Sequence, residues 1–316
     1  MPKSQKPSKP RILIVTPEIT YLPQGMGNMT QRMSAKAGGL ADVSASLVSA
    51  LFELGADVHV ALPNYRRMFQ GDIFSLHEKE LRKYHEVLPG SNIHLAEDRI
   101  FYYRDQVYSG YSDESMNIAL VFQREVINHI IPLVRPDLIH CNDWMTALIP
   151  AMAKRRGIKS LFTVHNIHTR EVPLPRIEES GIDAAEFWMN LYFCGLPQNY
   201  DHARSQIPVD LLASGIFAAH YINTVSPRFL WEIVEGWHSV VPDSVRSELS
   251  HKFHAGCSAG ILNAPDPSYH PATDDSLVAR FTSEDVMSGK AGNKIALQQE
   301  LKLKVDPDAP MFFWPS

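Results

Sequence analysis

Three short stretches carry residue types that could do chemistry. The first, Lys36-Ala37-Gly38-Gly39-Leu40-Ala41-Asp42-Val43, sets a cation and two adjacent glycines ahead of an apolar-periodic run. Glycines at a helix start let backbone N–H groups approach an anion closely. The helix dipole adds positive potential and Lys36 a full charge, so the stretch suits a diphosphate. A flexible loop end beside a solvated lysine is the plainer reading, and these residues alone leave it open. The second, His140-Cys141-Asn142-Asp143-Trp144, places a carboxylate where a strand gives way to a helix. There Asp143 serves as a helix N-cap, as a ligand contact, or as both. The third, Leu161 to Asn166, delivers His165 and Asn166 to the end of an apolar strand. Their polar groups suit sugar hydroxyls, although a lone histidine is also a common structural or surface residue.

Other chemistries fit less well. His165, His168 and Glu171 are zinc-ligand types without the helical His-Glu-x-x-His spacing, so no metal is expected. Gly25-Met26-Gly27 resembles the start of a dinucleotide fingerprint. It lacks the third glycine, and no acid ends the second strand to hold a ribose, which disfavours a nicotinamide enzyme. With a formal charge of -5 and no Lys/Arg stripe interleaved with aromatics, a nucleic-acid groove is not expected. The most apolar helix candidate, Asn117 to Val134, is interrupted by Arg124 and Glu125, and no apolar run reaches the ~18 residues of a membrane span. Cys141, Cys194 and Cys257 are odd in number and far apart, fitting neither a disulfide framework nor a C-x-x-C site, so a reducing cytoplasm is the expected home.

The elements that must position these residues follow an alternating rhythm. Arg11 to Glu18 reads as a buried strand. A helix follows from Leu40 with apolar residues at three- and four-residue steps, closed by Gly55, and Asp57 to Leu62 reads as the next strand. The rhythm returns as a helix from Asn117, a strand Leu138 to Cys141, a helix Trp144 to Arg156 closed by Gly157, and a strand Ser160 to Val164. This is the pattern of an α/β, doubly wound, mostly parallel, Rossmann-like sheet, in which ligands bind beyond the carboxyl ends of the strands. Between Asn166 and Pro208 the periodicity weakens, and a long, partly mobile loop with one helix, Ala184 to Phe193, is expected. Regularity resumes with a helix from Val209, a strand Tyr221 to Val225, a helix after Pro227, a short strand Ala259 to Leu262, a helix Glu284 to Leu301 and a terminal strand Met311 to Ser316. In a chain of 316 residues this leaves room for one large domain and part of a second.

In this order and on these strands, the three stretches resemble the glycogen and bacterial starch synthases. The family signature Lys-x-Gly-Gly-Leu-Ala-Asp-Val matches Lys36 to Val43; its Asp-Trp followed by an apolar helix matches Asp143-Trp144; its Phe-Thr-Val-His-Asn matches Phe162 to Asn166. Thr224-Val225-Ser226-Pro227, Gly260-Ile261-Leu262-Asn263 with Asp266, and Asn293-Lys294 with Leu297-Gln298 also look like family motifs. The resemblance implies a retaining GT-B glucosyltransferase that moves glucose from a nucleotide sugar, ADP-glucose, to the non-reducing end of an α-1,4-glucan, with no cofactor and no essential metal. It implies that Lys36, Gly38 and Gly39 face the donor diphosphate with Asp42 shaping that corner. Asp143 and His165, with Asn166, would line the sugar site, and Asn263 would sit near the interlobe cleft. Another acceptor, or a non-catalytic glucan-binding module, remains an alternative.

Departures from the family pattern bear on these expectations. The connection between Glu18 and Lys36 is long, Met145 stands where His or Gln is usual, Thr169-Arg170-Glu171 replaces Tyr-Gln-Gly, and Ala264-Pro265 replaces Gly-Ile. Pro265 removes a backbone N–H there. The expected organisation is a disordered tail over 1–10, a Rossmann-like catalytic lobe over 11–264, and a linker with the start of a second lobe over 265–316. On that reading the second lobe is missing and the chain alone is inactive. The partners implied are a nucleotide sugar, an α-glucan and the chain's own second lobe, with neither nucleic acid nor membrane.

Overall fold

The computed structural model describes residues 9–27, 30, 33–69, 92–109, 112–266 and 269–312. Contacts divide the chain into two compact units, 1–263 and 264–316. In the first, seven parallel strands form one sheet: β1 (Arg11–Val15), β2 (Asp57–Pro63), β3 (Ile93–Ala96), β4 (Leu138–Asn142), β5 (Lys159–Val164), β8 (Tyr221–Thr224) and β9 (Ser258–Gly260). Their order across the sheet is β3-β2-β1-β4-β5-β8-β9. A second, two-stranded antiparallel sheet pairs β6 (Glu171–Val172) with β7 (Val209–Asp210).

Burial explains the pattern. Leu13, Ile14 and Val15 are fully buried, as a central parallel strand covered on both faces requires. The first crossover is α1 (Gly39–Glu53), which turns Leu40, Ala41, Ala45 and Val48 inward. Gly55, at φ +69, then reverses the chain into β2. The strand order reverses between β1 and β4, which opens a crevice at their carboxyl ends.

Several expectations need correction. The stretch 166–208 is built rather than open. It holds β6, a helix Leu174–Glu179, and a helix Tyr200–Gln206, while the expected helix 184–193 is two separate 3₁₀ turns, Ala184–Glu186 and Trp188–Asn190. Leu174, Ile177, Ile182, Phe187 and Leu191 are buried, so this segment packs its own apolar residues at spacings too irregular to show a period. The helix read from Asn117 begins at Ser112 and widens into a π turn, Val126–Ile130, before Pro132 in the helix Ile131–Val134. Pro132 has no N–H to give the carbonyl of Asn128, and the π turn lies where that bond is missing. Strand β3 and the helix Asp243–His254 carried no expectation.

In the second unit the helix Val286–Glu300 is the main element. Asn293 bonds both the N–H and the carbonyl of Ala279, and Gln298 does the same for Asp306. Met311 and Phe312 carry no strand; residues 313–316 of the expected terminal strand, and 1–8 of the expected tail, lie outside the described residues. Among the described residues no helix is long and apolar enough to cross a membrane.

Candidate active site

A cleft of about 670 Å³ lies at the β1/β4 reversal, and its wall includes Glu18, Gly38, Gly39, Tyr108, Asp143 and His165. The volume is ordinary for a small-molecule site. Of the eight residues singled out in the sequence, Gly38, Gly39, Asp143, His165, Asn166 and Asn263 line it. Lys36 and Asp42 do not. They pair with each other instead, Lys36 Nζ lying 2.9 and 2.8 Å from the two Asp42 carboxylate oxygens, one of which also accepts from Thr20.

Asp143 anchors the site. It is 5% exposed and sits at φ 57, in a region that residues other than glycine seldom occupy. Such strain persists only where neighbours hold it, and they do. Oδ1 accepts from the His165 backbone N–H at 2.8 Å, and Oδ2 accepts from Asn166 Nδ2 at 2.8 Å. The carboxylate therefore makes no cap for the helix beyond it, whose Leu148 N–H is satisfied by Gln123 Oε1 at 2.7 Å. The N-cap reading of Asp143 is excluded by that geometry. Burial pushes its pKa up to about 7, against the backbone N–H groups of His165 and Asn166, which favour the ionised form, and the Glu18 charge pushes the same way as burial.

His165 follows β5 directly, its Nε2 lying 2.9 Å from Asn142 Oδ1. Burial lowers its pKa to about 4, so the ring is neutral at neutral pH. Beneath it, His140 Nε2 lies 2.6 Å from Thr163 Oγ1, and Thr163 donates to Asn223 Oδ1 at 2.7 Å. This buried polar row ties β4, β5 and β8 together under the site.

Two residues escaped the sequence reading. Glu18 is 1% exposed; its Oε2 accepts the N–H groups of Ala37 at 2.5 Å and Gly38 at 3.0 Å, and its Oε1 accepts from the Tyr108 hydroxyl at 3.0 Å. A carboxylate of the chain's own thus holds the loop that leads into α1. Glu18 could have been found, because it lies just past the end of β1, where a ligand-facing residue belongs. Tyr108 had no such signal. Burial, with Glu18 next, pushes its pKa upward, so its hydroxyl keeps its proton and donates.

Gly38 and Gly39 are not explained by the fold's own needs. Neither has a left-handed φ, Gly38 being extended at φ -156. A Cβ on Gly39 would meet nothing within 4 Å, and one on Gly38 only Glu18 Oε1 at 4.0 Å. Their bare backbone fronts the cleft, and a side chain would take ligand space at the helix N-terminus. Among the described residues no three His, Cys, Asp or Glu side chains come together as a metal site.

The model of the starch synthase catalytic domain matches residues 11–241. The chain belongs to the glycogen and starch synthase family. A glycogen synthase of Exiguobacterium sibiricum is 33% identical over 309 residues, a span that takes in 88% of this chain and 59% of that protein. A glycogen synthase 2 of Geobacter metallireducens is 30% identical over 309 residues, with the same coverage of each chain. The catalytic domain of starch synthase IV from Arabidopsis thaliana, solved bound to ADP and acarbose, superposes with a TM-score of 0.65 at 23% identity, covering 93% of this chain and 59% of that one. That likeness shows the fold, a Rossmann-like GT-B lobe. This synthase-family chain spans about 59% of the length of the curated relatives it matches.

Proposed function

We propose that this chain forms the lobe of a retaining glucosyltransferase that moves glucose from ADP-glucose to the non-reducing end of an α-1,4-glucan. The observation that carries the reading is the joint placement of Asp143, His165, Asn166 and the bare Gly38-Gly39 backbone on one cleft at the β1/β4 reversal. In that reaction the bond from glucosyl C1 to the diphosphate oxygen breaks, its electrons leaving on ADP. A bond from C1 to the acceptor hydroxyl oxygen forms, and the hydroxyl proton ends on the departing nucleotide.

The carboxylates among the described residues that line the cleft, Glu18 and Asp143, are buried and engaged in hydrogen bonds. The cleft offers positioned hydrogen-bonding groups in a shielded setting, which suits an oxocarbenium-like transition state whose hydroxyls and leaving group need fixed partners. Asp143 and His165 are the catalytic residues of this proposal. Gly38, Gly39 and Asn263 contact the donor, while Lys36 and Asp42 shape the loop before α1 without touching the cleft. Among the described residues that line it, Arg170 is the one Lys or Arg, too little positive charge for a departing diphosphate. The proposal therefore includes that further cations complete the site and that these 316 residues alone do not turn over. The family and the three free cysteines support a cytoplasmic setting.

The test is transfer of labelled glucose from ADP-glucose to a maltooligosaccharide, run on the full-length protein and its His165→Ala variant. Transfer that drops at least about a hundredfold in the variant supports the reading. Absence of transfer from any nucleotide sugar by the folded full-length protein would move the assignment to another acceptor or to a glucan-binding module.

A further inference from the structure

Asn142 ends β4 and His165 follows β5, so the two side chains meet at adjacent strand ends. Asn142 is 4% exposed, and both ends of its amide are engaged: Nδ2 lies 3.1 Å from the Val15 carbonyl oxygen of β1, and Oδ1 lies 2.9 Å from His165 Nε2. A backbone carbonyl can only accept, so the amide atom facing Val15 must be the NH2. The chain's own backbone thus fixes which way the amide points. Its oxygen is left facing the imidazole, and an amide oxygen can only accept, so Nε2 must carry a hydrogen. A neutral ring carries one N–H. Nδ1 is then a lone pair, and among the described residues nothing donates to it. The ring's stem is held as well, since the His165 N–H donates to Asp143 Oδ1.

We infer that Asn142 is a positioning residue that locks His165 in the Nε2–H tautomer, leaving Nδ1 as an acceptor that takes a ligand hydroxyl and turns away a phosphate oxygen. The ligand half of this inference rests on the function proposed above; the tautomer half does not. It also gives Asn142 a task that its strand position alone would not suggest. Removing the amide oxygen frees the ring to exchange tautomers or rotate, without touching any group that contacts ligand.

The experiment is side-chain nitrogen NMR of the ¹⁵N-histidine-labelled full-length protein at pH 7, with the His165 signals identified by their loss in His165→Gln. The expected spectrum is a single neutral Nε2–H tautomer for His165, with Nδ1 at the far-downfield position of an unprotonated ring nitrogen. In Asn142→Leu and in the smaller Asn142→Ala, loss of that single tautomer is expected. An Nδ1–H tautomer in the wild-type chain overturns the inference outright, and that spectrum needs neither variant to fold. A variant with native dispersion and an unchanged His165 pattern overturns the positioning role. Adding maltose should move Nδ1 upfield while inorganic sulfate, an anion with no hydroxyl at pH 7, leaves it in place, and the reverse result overturns the ligand half. If the Nε2–H tautomer is present but neither probe moves Nδ1, the tautomer assignment stands and the glucan reading fails.

Discussion

At the scale of single residues the cleft is organised by groups that are satisfied internally yet still have capacity to spare. Asp143 accepts one hydrogen bond at each carboxylate oxygen, from the His165 N–H and the Asn166 amide, and each oxygen keeps a further lone pair. Asn166 is fixed in turn, its Oδ1 accepting from the His168 N–H at 2.8 Å. Gly39 is the opposite case, a position where nothing of the protein's own asks for glycine. Gly39→Ala is therefore expected to leave the fold intact and to raise stability by up to about 1 kcal/mol, since alanine is the better helix former. The same methyl group would sit at the N-terminus of α1, in the cleft, and should weaken ADP-glucose binding by the full-length protein about tenfold or more. Thermal denaturation beside calorimetric titration checks both halves. A drop in melting temperature would mean that the glycine serves folding, and unchanged binding would remove it from the donor site. The sequence singled this residue out as half of a glycine pair before a periodic helix, with a plain loop end as the other reading. It left Tyr108 hidden, because nothing in an isolated tyrosine announces a buried carboxylate partner ninety residues away in the chain.

At the scale of elements, the strands that bear the site were legible and the segment that buttresses it was not. A central strand such as Ile12 to Val15 is apolar in every residue because both faces are covered, and that signal needs no partner to be seen. The stretch 166–208 is stabilised by single long-range contacts with no period, so its turns and short helices look like a loop in one dimension. Asp210 shows how such contacts work. It is 3% exposed; Oδ1 accepts from Thr169 and from the Ala213 N–H at 3.0 Å, which caps the helix Leu211–Ala218, and Oδ2 accepts from Ser244 at 2.7 Å. One carboxylate thereby joins the end of β7, the segment after His165 and the helix Asp243–His254. The helix it caps presses so closely on β5 that a Cβ on Gly215 would come within 2.5 Å of the Phe162 ring. Asp210→Ala removes a cap and takes away the acceptor of the half-buried Thr169 and Ser244 hydroxyls, and should cost about 1–3 kcal/mol. Urea unfolding of the two proteins measures this. A loss under about 0.5 kcal/mol would show that the helix and the segment after His165 hold without it.

At the scale of the whole molecule, burial of titratable groups around one sheet sets how the fold responds to acid. Burial lowers the pKa of His94, His140 and His165 to about 4 each, with a neighbouring imidazole adding to the effect at His94 and at His140. An unfolded histidine titrates near 6.5, so between about 4 and 6.5 the unfolded chain binds more protons at these three sites than the folded one. Their contribution to stability is full above that window and is lost as the pH falls through it. Asp143 acts in the opposite sense. Its folded pKa of about 7 lies above its unfolded value, so its contribution is present at low pH and is lost as the pH rises toward 7. Carboxylates whose pKa is lowered by hydrogen-bond partners, such as Glu178 and Glu186, add acid sensitivity only below their ordinary value and so fall outside this window. Burial also lowers the pKa of His59 and His220, so among the described residues the histidines outnumber Asp143 between pH 5 and 6.5, and unfolding should take up about two protons or more. The urea midpoint of unfolding is accordingly expected to fall steadily from pH 7 to pH 5 with no change in slope against denaturant. A midpoint that stays level or rises over that range would mean that these histidines are not neutral in the folded chain. The neutral His165 ring on which the proposed sugar contact depends would then be lost as well.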